Sequence, residues 1–344
     1  MRALLRYPDG YRIVGKRQLS PSVVELTVHA PRVAAHAAAG QFFILRTHED
    51  GERVPFTFSD WSPTDGWIRF VFTVVGKTTA WLAKLQTGDC LADIAGPLGR
   101  ATRLTAGTGA GPVVVVGGGA GTAVAYPVAR MLSLGNPDAG VSPRQVSVIV
   151  GARTATLLLL LDELRALPLA DDGSPLVVTD DGSAGQRGLV TEPLGRLCRA
   201  RAIAGHPFEE AFIVGPAPMM QFSAAMAAAA GVPATVSLNP LMVDGTGMCG
   251  ACRVTVDGTV RFACVDGPDF PAAGVDWGEL RTRQADYLDA EHAAMAAWDG
   301  QVHRATDCHC FDVDASNNPA KGDDNKDQRS VEHDPSSDKD RGSA

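Results

Sequence analysis

Three cysteines stand within sixteen residues: Val243-Asp-Gly-Thr-Gly-Met-Cys249-Gly-Ala-Cys252, then Cys264 after eleven intervening residues. Three thiolates suit a soft metal, and a close pair with one distant partner is common to zinc and iron–sulfur sites. The chain has seven cysteines, an odd number, and no recognisable export signal, which favours ligation over a disulfide framework. Gly245, Gly247 and Gly250 let the backbone curl with φ > 0 and turn N–H groups toward bridging sulfides. Asp244 stands five residues before Cys249, where a plant-type two-iron loop places its first cysteine. It is the candidate fourth ligand. A carboxylate keeps the −1 charge of a thiolate but is harder and less covalent, so a shifted reduction potential is expected. Structural zinc, free core cysteines, and Asp244 as a plain turn residue are the competing readings. Cys308 and Cys310 flank His309 at the start of a polar tail and are read as incidental thiols.

A second constellation is Gly117-Gly-Gly-Ala-Gly121, which follows an unbroken β-branched run at residues 113–116 and precedes a helical pattern. Gly118, Gly119 and Gly121 in that strand–turn–helix context suit a nucleotide diphosphate, although a glycine run alone is a weak sign. Arg153, the pair Asp180 and Asp181, and Gly215 with Pro216 and Met219 stand at the expected carboxyl ends of successive strands. Ligands bind at that edge of open α/β sheets.

These residues need elements to hold them. Short strands are expected at 11–14, 23–28, 41–46, 54–59, 67–75 and 90–94, spaced by Gly, Pro and Asp turns as in a small barrel, with a helix over 79–85. From residue 113 the pattern alternates: strands at 113–116, 145–150, 176–179, 211–214 and 235–237, helices at 124–134, 157–167, 191–200 and 219–230. That alternation predicts a parallel doubly wound sheet. The expected organisation is a β-barrel domain over 1–106, a nucleotide-binding α/β domain over 107–237, and a cluster domain with a final helix (277–298) over 238–290. Residues 311–344 are expected to form a disordered polar tail.

Composition sets the bounds. The chain has 344 residues, 45% hydrophobic and 20% charged, with a formal net charge of −8. From Phe311 onward nine Asp/Glu face five Lys/Arg, so the remainder is only mildly acidic. There is no basic footprint for nucleic acid. The most apolar long stretch, 113–132, holds four glycines with Pro127 and Arg130, so it reads as buried strand, turn and helix, and no membrane span is expected. A cytoplasmic protein is expected.

The segment Leu238-Asn-Pro-Leu-Met-Val-Asp-Gly-Thr-Gly-Met-Cys-Gly-Ala-Cys-Arg253, with Phe262-Ala-Cys-Val-Asp-Gly-Pro268, resembles the small, FAD/NAD-binding subunits of NADH-dependent ferredoxin:NADP oxidoreductases, also called sulfide dehydrogenases. Wider relatives are the dihydroorotate dehydrogenase electron-transfer subunits and the ferredoxin–NADP reductases. The resemblance spans roughly residues 10–290. Aspartate in the first ligand position separates this pattern from the four-cysteine dihydroorotate dehydrogenase type.

The resemblance implies a ferredoxin–NADP reductase-like fold, a β barrel plus α/β with a small C-terminal iron–sulfur domain. It implies FAD, NAD(H) or NADP(H), and a 2Fe-2S cluster on Asp244, Cys249, Cys252 and Cys264. Arg53-Val-Pro-Phe-Thr-Phe58 matches the flavin motif: Arg53 on the diphosphate, the backbone of Pro55, Phe56 and Thr57 along the isoalloxazine. Gly76, Lys77 and Thr78 match the second flavin segment, at a helix start. They also mimic the end of a P-loop, but that motif needs glycine where Val71 stands. The family's Ala-Pro after the glycines is Ala123-Val124 here.

The implied activity is NAD(P)H-dependent electron transfer through flavin and cluster to a larger flavo-iron-sulfur subunit in a heterodimer, with ferredoxin as a further candidate partner. No catalytic acid–base pair is required. Rival readings are a stand-alone reductase, a dihydroorotate dehydrogenase electron-transfer subunit, and a zinc-stabilised nucleotide-binding regulatory module.

Overall fold

The structure, a computed structural model, describes residues 10–104, 109–137, 140–170, 172–298 and 300. The tail from Phe311, Cys308, Cys310 and the expected 106/107 boundary lie outside the described residues.

The first half is built of β1 (Tyr11–Ser20), β2 (Val23–His29), β3 (Phe42–Arg46), β4 (Val54–Thr57), β5 (Asp60–Ser62), β6 (Trp67–Thr73), β7 (Cys90–Leu91) and β8 (Asp93–Leu98), with short helix α1 (Pro31–Ala34) and α2 (Lys77–Lys84). They form an antiparallel five-stranded sheet, β5-β6-β2-β1-β7, and a three-stranded sheet, β4-β3-β8. In β6 every second residue is buried. Period-two alternation sends Ile68, Phe70 and Phe72 inward. They meet Phe43, Phe56 and Phe58 in one aromatic core, with Phe43 and Phe70 edge-on at 5.2 Å between ring centroids.

The second half contains β9 (Val113–Gly118), α3 (Thr122–Leu134), β10 (Val146–Ala152), α4 (Leu161–Arg165), β11 (Leu176–Thr179), β12 (Gln186–Arg187), α5 (Thr191–Ile203), β13 (Glu210–Val214), α6 (Ala217–Ala229) and β14 (Ala234–Ser237). The sheet order is β12-β11-β10-β9-β13-β14, all parallel. β9 and β10 are buried throughout because helices cover both faces, which explains their unbroken apolar runs. The chain leaves β9 toward β10 on one side and returns to β13 on the other, creating a switch point between β9 and β13.

The last segment holds hairpin β15 (Arg253–Val256) and β16 (Thr259–Phe262), α7 (Ala263–Asp266), β17 (Asp269–Pro271), α8 (Trp277–Ala285) and α9 (Leu288–Ala297). Strand β17 joins the seven-stranded sheet as an antiparallel edge on β14.

Three departures from the sequence expectation bear on how the site is framed. The helix expected at 157–167 is a 3-10 turn followed by a short α4, with Leu160 at φ 53°. Successive leucines cannot all face one side of a helix. The broken backbone instead buries Leu159 and Leu160 beside Val23 and Ala123, and Leu164 in the sheet core. The final helix is two, α8 and α9, interrupted at Asp286 and Tyr287; α8 buries Leu280 and α9 buries nothing. The hairpin was also not anticipated, although Asp257-Gly258, both at positive φ, is the turn such a hairpin needs.

A chain of ion pairs joins the two halves. Glu163 of α4 accepts from Arg17 at 2.7 Å, Arg17 also reaches Glu25 at 3.0 Å, Arg69 lies between Glu25 and Asp60, and Asp60 accepts from Arg130 of α3. Arg130 is further packed over the Trp61 ring.

Candidate functional site

Strand β4 places the flavin-motif residues. It pairs with β3 alone, at a sheet edge. Phe56 turns into the aromatic core while Pro55 and Thr57 stay half-buried on the other face. All three line a cavity of about 1560 Å³. That exceeds the roughly 300–1,000 Å³ of a single small-ligand pocket.

The opposite wall is the switch point of the parallel sheet: Gly118, Gly119 and Gly121 after β9, and Gly215 after β13. Each glycine has its own reason. A Cβ on Gly121 would stand 2.6 Å from the carbonyl oxygen of Val214, so the turn is locked against the neighbouring strand end. Gly119 has φ +55° and nothing within 4 Å of a Cβ position, so it leaves space open in front of the helix. The N-terminus of α3 follows directly, with its unsatisfied N–H groups. This is a cradle an anionic diphosphate fits.

Asp180, at the end of β11, and Arg153, beyond β10, line the same cavity. Asp181 does not. Its Oδ1 accepts from the backbone N–H of Ser183 at 2.9 Å and from its hydroxyl at 2.6 Å, and these bonds hold the carboxyl below its usual range. Asp181 is therefore a turn-former.

Gly76, Lys77 and Thr78 sit at the start of α2 but do not line the cavity; their neighbours Val75 and Thr79 do. Thr79 Oγ1 accepts from the N–H groups of Val75 and Gly76, both at 3.0 Å. The Thr78 hydroxyl donates to Glu52, and Lys77 Nζ is 3.9 Å from the same carboxylate. A carboxylate already stands at this helix end, so the place suits an anion. Glu52 escaped the sequence reading, because a single loop glutamate has no spacing to mark it.

Arg53 is not among the residues that line the cavity. Its Nε donates to the carbonyl of Val243 at 2.9 Å and its Nη2 to that of Asp244 at 3.2 Å. The flavin motif is thus tied to the cysteine loop.

In that loop Gly245, Gly247 and Gly250 have φ of 76°, 83° and 69°. Asp244 caps the turn: Oδ1 accepts from Thr246 N–H at 2.7 Å and Oδ2 from Cys249 N–H at 2.8 Å, which keeps its carboxyl below the usual range. Cys252 and Cys264 are buried with their sulfurs 3.1 Å apart. Burial first, and the neighbouring Cys252 thiol second, push the Cys264 thiol up to about 12. Cys249 is exposed. Among the described residues no three metal-binding side chains converge into a closed site. The donors stand instead as two pairs, Asp244 with Cys249 and Cys252 with Cys264. Two thiols side by side, a second pair on the same glycine-rich loop, and a charge-matched oxygen donor fit a two-iron cluster.

The comparisons agree with this geometry. Residues 239–276 match the family described as the iron-sulfur cluster binding domain of dihydroorotate dehydrogenase B. A Thermotoga maritima protein named "Dihydroorotate dehydrogenase B (NAD(+)), electron transfer subunit homolog" is 44% identical over 81% of this chain and 92% of its own length. The corresponding Geobacillus thermodenitrificans electron transfer subunit is 30% identical over 76% of this chain and 96% of its own. A solved structure of the NADH-dependent reduced ferredoxin-NADP oxidoreductase, reported for flavin-based electron bifurcation, is 42% identical, covers 83% of this chain and 96% of its own, and superposes with a TM-score of 0.72. The barrel, the parallel sheet and the cysteine loop therefore compose a ferredoxin–NADP reductase-like fold with a C-terminal iron–sulfur domain. Because this likeness runs through nearly the whole length of each relative, the chain belongs to the dihydroorotate dehydrogenase B electron-transfer-subunit family.

Proposed function

We propose that this chain carries electrons between NAD(P)H, FAD and a 2Fe-2S cluster and delivers them to a larger flavo-iron-sulfur subunit, as one half of a cytoplasmic heterodimer. The observation that carries this reading is the shared cavity. The edge of β4 forms one wall and the glycine turn after β9 the other, while the cysteine loop is hydrogen-bonded to Arg53, next to β4. Such an arrangement supports a reading in which a nucleotide lies against a flavin and the flavin near a metal loop.

When bound, the flavin supplies the conversion between two-electron hydride chemistry and one-electron transfer. The protein supplies position and dryness. The backbone of Pro55, Phe56 and Thr57, on the cavity wall, would line the isoalloxazine. Val71, Phe72, Leu159 and Met219 give the cavity an apolar lining that excludes water. Gly118, Gly119, Gly121 and Gly215 would admit the nicotinamide nucleotide diphosphate to the α3 N-terminus, and Asp180 would be available to a ribose hydroxyl. The α2 start at Gly76, Lys77 and Thr78, flanked by the cavity-lining Val75 and Thr79, would hold the flavin diphosphate through backbone N–H groups. Asp244, Cys249, Cys252 and Cys264 hold the cluster. No side chain need move a proton.

Dihydroorotate oxidation by the partner is the second reading, supported by the name of the matched cluster domain. Aspartate rather than cysteine at position 244 favours the ferredoxin:NADP type.

The test is an anaerobic absorption spectrum of the purified chain, with flavin, iron and zinc quantified on the same sample. Flavin bands and an iron–sulfur shoulder bleached by NADH, with about two irons per chain, are expected. Zinc without flavin overturns the proposal in favour of a regulatory module. Orotate-dependent NADH oxidation by the assembled complex selects the second reading, and the absence of any co-purifying subunit leaves a stand-alone reductase.

A further inference from the structure

Arg53 occupies an unusual position. It precedes β4, whose residues line the cavity, yet its guanidinium bonds backbone carbonyls 190 and 191 residues away in the cysteine loop. One of those carbonyls belongs to Asp244 itself. Its neighbour Glu52 reaches the other way, to Lys77 and Thr78 at the start of α2. Two successive side chains thus tie the lead-in of β4 to both the anion-suited helix end and the loop that presents Asp244 and Cys249.

An arginine has five N–H donors in a planar fork. The contacts to Val243 and Asp244 use one on Nε and one on Nη2. Three remain, on an exposed side chain. A diphosphate is the ligand such a fork engages most strongly.

We propose that Arg53 is a positioning residue that couples flavin occupancy to the order of the cysteine loop: one guanidinium holds the Val243 and Asp244 carbonyls while its free donors engage the flavin diphosphate. The inference rests on the flavin and cluster sites proposed above. A guanidinium anchored by a diphosphate loses less freedom when it also holds the loop, and the reverse is equally true. Coupling of this kind is reciprocal: the factor by which flavin steadies the cluster equals the factor by which the cluster tightens flavin. Lysine cannot substitute, because a single ammonium lacks the fork that reaches both sides.

The experiment follows iron loss to a chelator and the paramagnetic resonance spectrum of the reduced cluster in the full chain, with FAD bound and with FAD removed. It compares wild type, Arg53→Lys and Arg53→Met. In wild type, FAD removal accelerates iron loss about tenfold and broadens the cluster signal. Cluster removal weakens FAD binding in turn. In Arg53→Met, iron loss is fast in both states, and saturating FAD gives no protection. Arg53→Lys retains part of the FAD affinity without the protection. Equal iron-loss rates in wild type with and without FAD overturn the coupling, as does full protection by FAD in Arg53→Met. The wild-type comparison needs no substitution, so a misfolded variant leaves it decisive. A chain that binds both FAD and iron, but independently, sinks this inference alone. A chain that binds neither sinks the functional reading with it.

Discussion

The Thr102 hydroxyl donates a 2.6 Å hydrogen bond to Oδ2 of Asp269, a half-buried residue beside β14 whose Oδ1 is shielded from solvent. Thr102 stands between barrel and parallel sheet, and Asp269 opens β17. The contact therefore pins the link between the two sheets to the segment that carries the cysteines. Burial raises the Asp269 carboxyl to about 6, and the hydroxyls of Thr102 and Ser237 offset only part of that rise.

The sign of its effect on stability follows. Between pH 4 and 6, approximately, the folded protein keeps a proton on Asp269 that the unfolded chain releases, so this residue's contribution to stability falls as pH rises through that window and is level above it. The full loss is of the order of 3 kcal/mol. Asp269→Asn is expected to stabilise the protein at pH 7.5 by about 1–3 kcal/mol, with the gain vanishing below about pH 4. Urea titrations of both proteins across this range measure it; a pH-independent difference would refute the assignment.

Asp60 is shared by Arg130 and Arg69, and only 16% of its side chain is exposed. Asp60→Asn is expected to lower stability by about 1–3 kcal/mol, because two partly buried guanidinium groups lose their common acceptor. The urea midpoint falls while the m-value stays constant.

The glycine turn after β9 tolerates no side chain at Gly121, where a Cβ meets backbone rather than a movable group. Gly121→Ala is expected to weaken NADH binding more than tenfold and to cost about 1–3 kcal/mol of stability. Gly118→Ala is milder in stability, because its nearest neighbour is the flexible Met219 thioether at 2.2 Å from a Cβ position. Calorimetric NADH titration and thermal unfolding of the two variants separate these effects.

Among the described residues the free cysteines divide by role. Cys249→Ala and Cys264→Ala are expected to reduce iron from about two per chain to a trace. Cys198→Ala, in the core packed around α5 and α6, keeps its iron and loses about 1–2 kcal/mol of stability. Iron and unfolding measured on the same preparations decide this. Retention of full iron in Cys264→Ala would remove that residue from the ligand set.

Much of this protein is legible in one dimension. The cysteine spacing, the glycine turn and the alternation of β-branched runs with helical segments are local features, governed by backbone sterics and by which faces must be buried. They are sufficient to fix two sheet types and to mark the cysteine loop. Consecutive leucines at 157–161 misled because helix propensity is weak beside the burial of two separate cores. Asp180 and Asp181 are indistinguishable by type. Only the turn at Ser183 commits one of them to its own backbone and leaves the other on the cavity wall. Arg53 and the Asp244 carbonyl, and Glu52 and Thr78, meet across long stretches of chain through polar groups that leave no periodic trace. Local sterics and hydrophobic period determined the elements. Which charged groups face one another was decided only when those elements packed, because such contacts depend on distances that no spacing along the chain encodes.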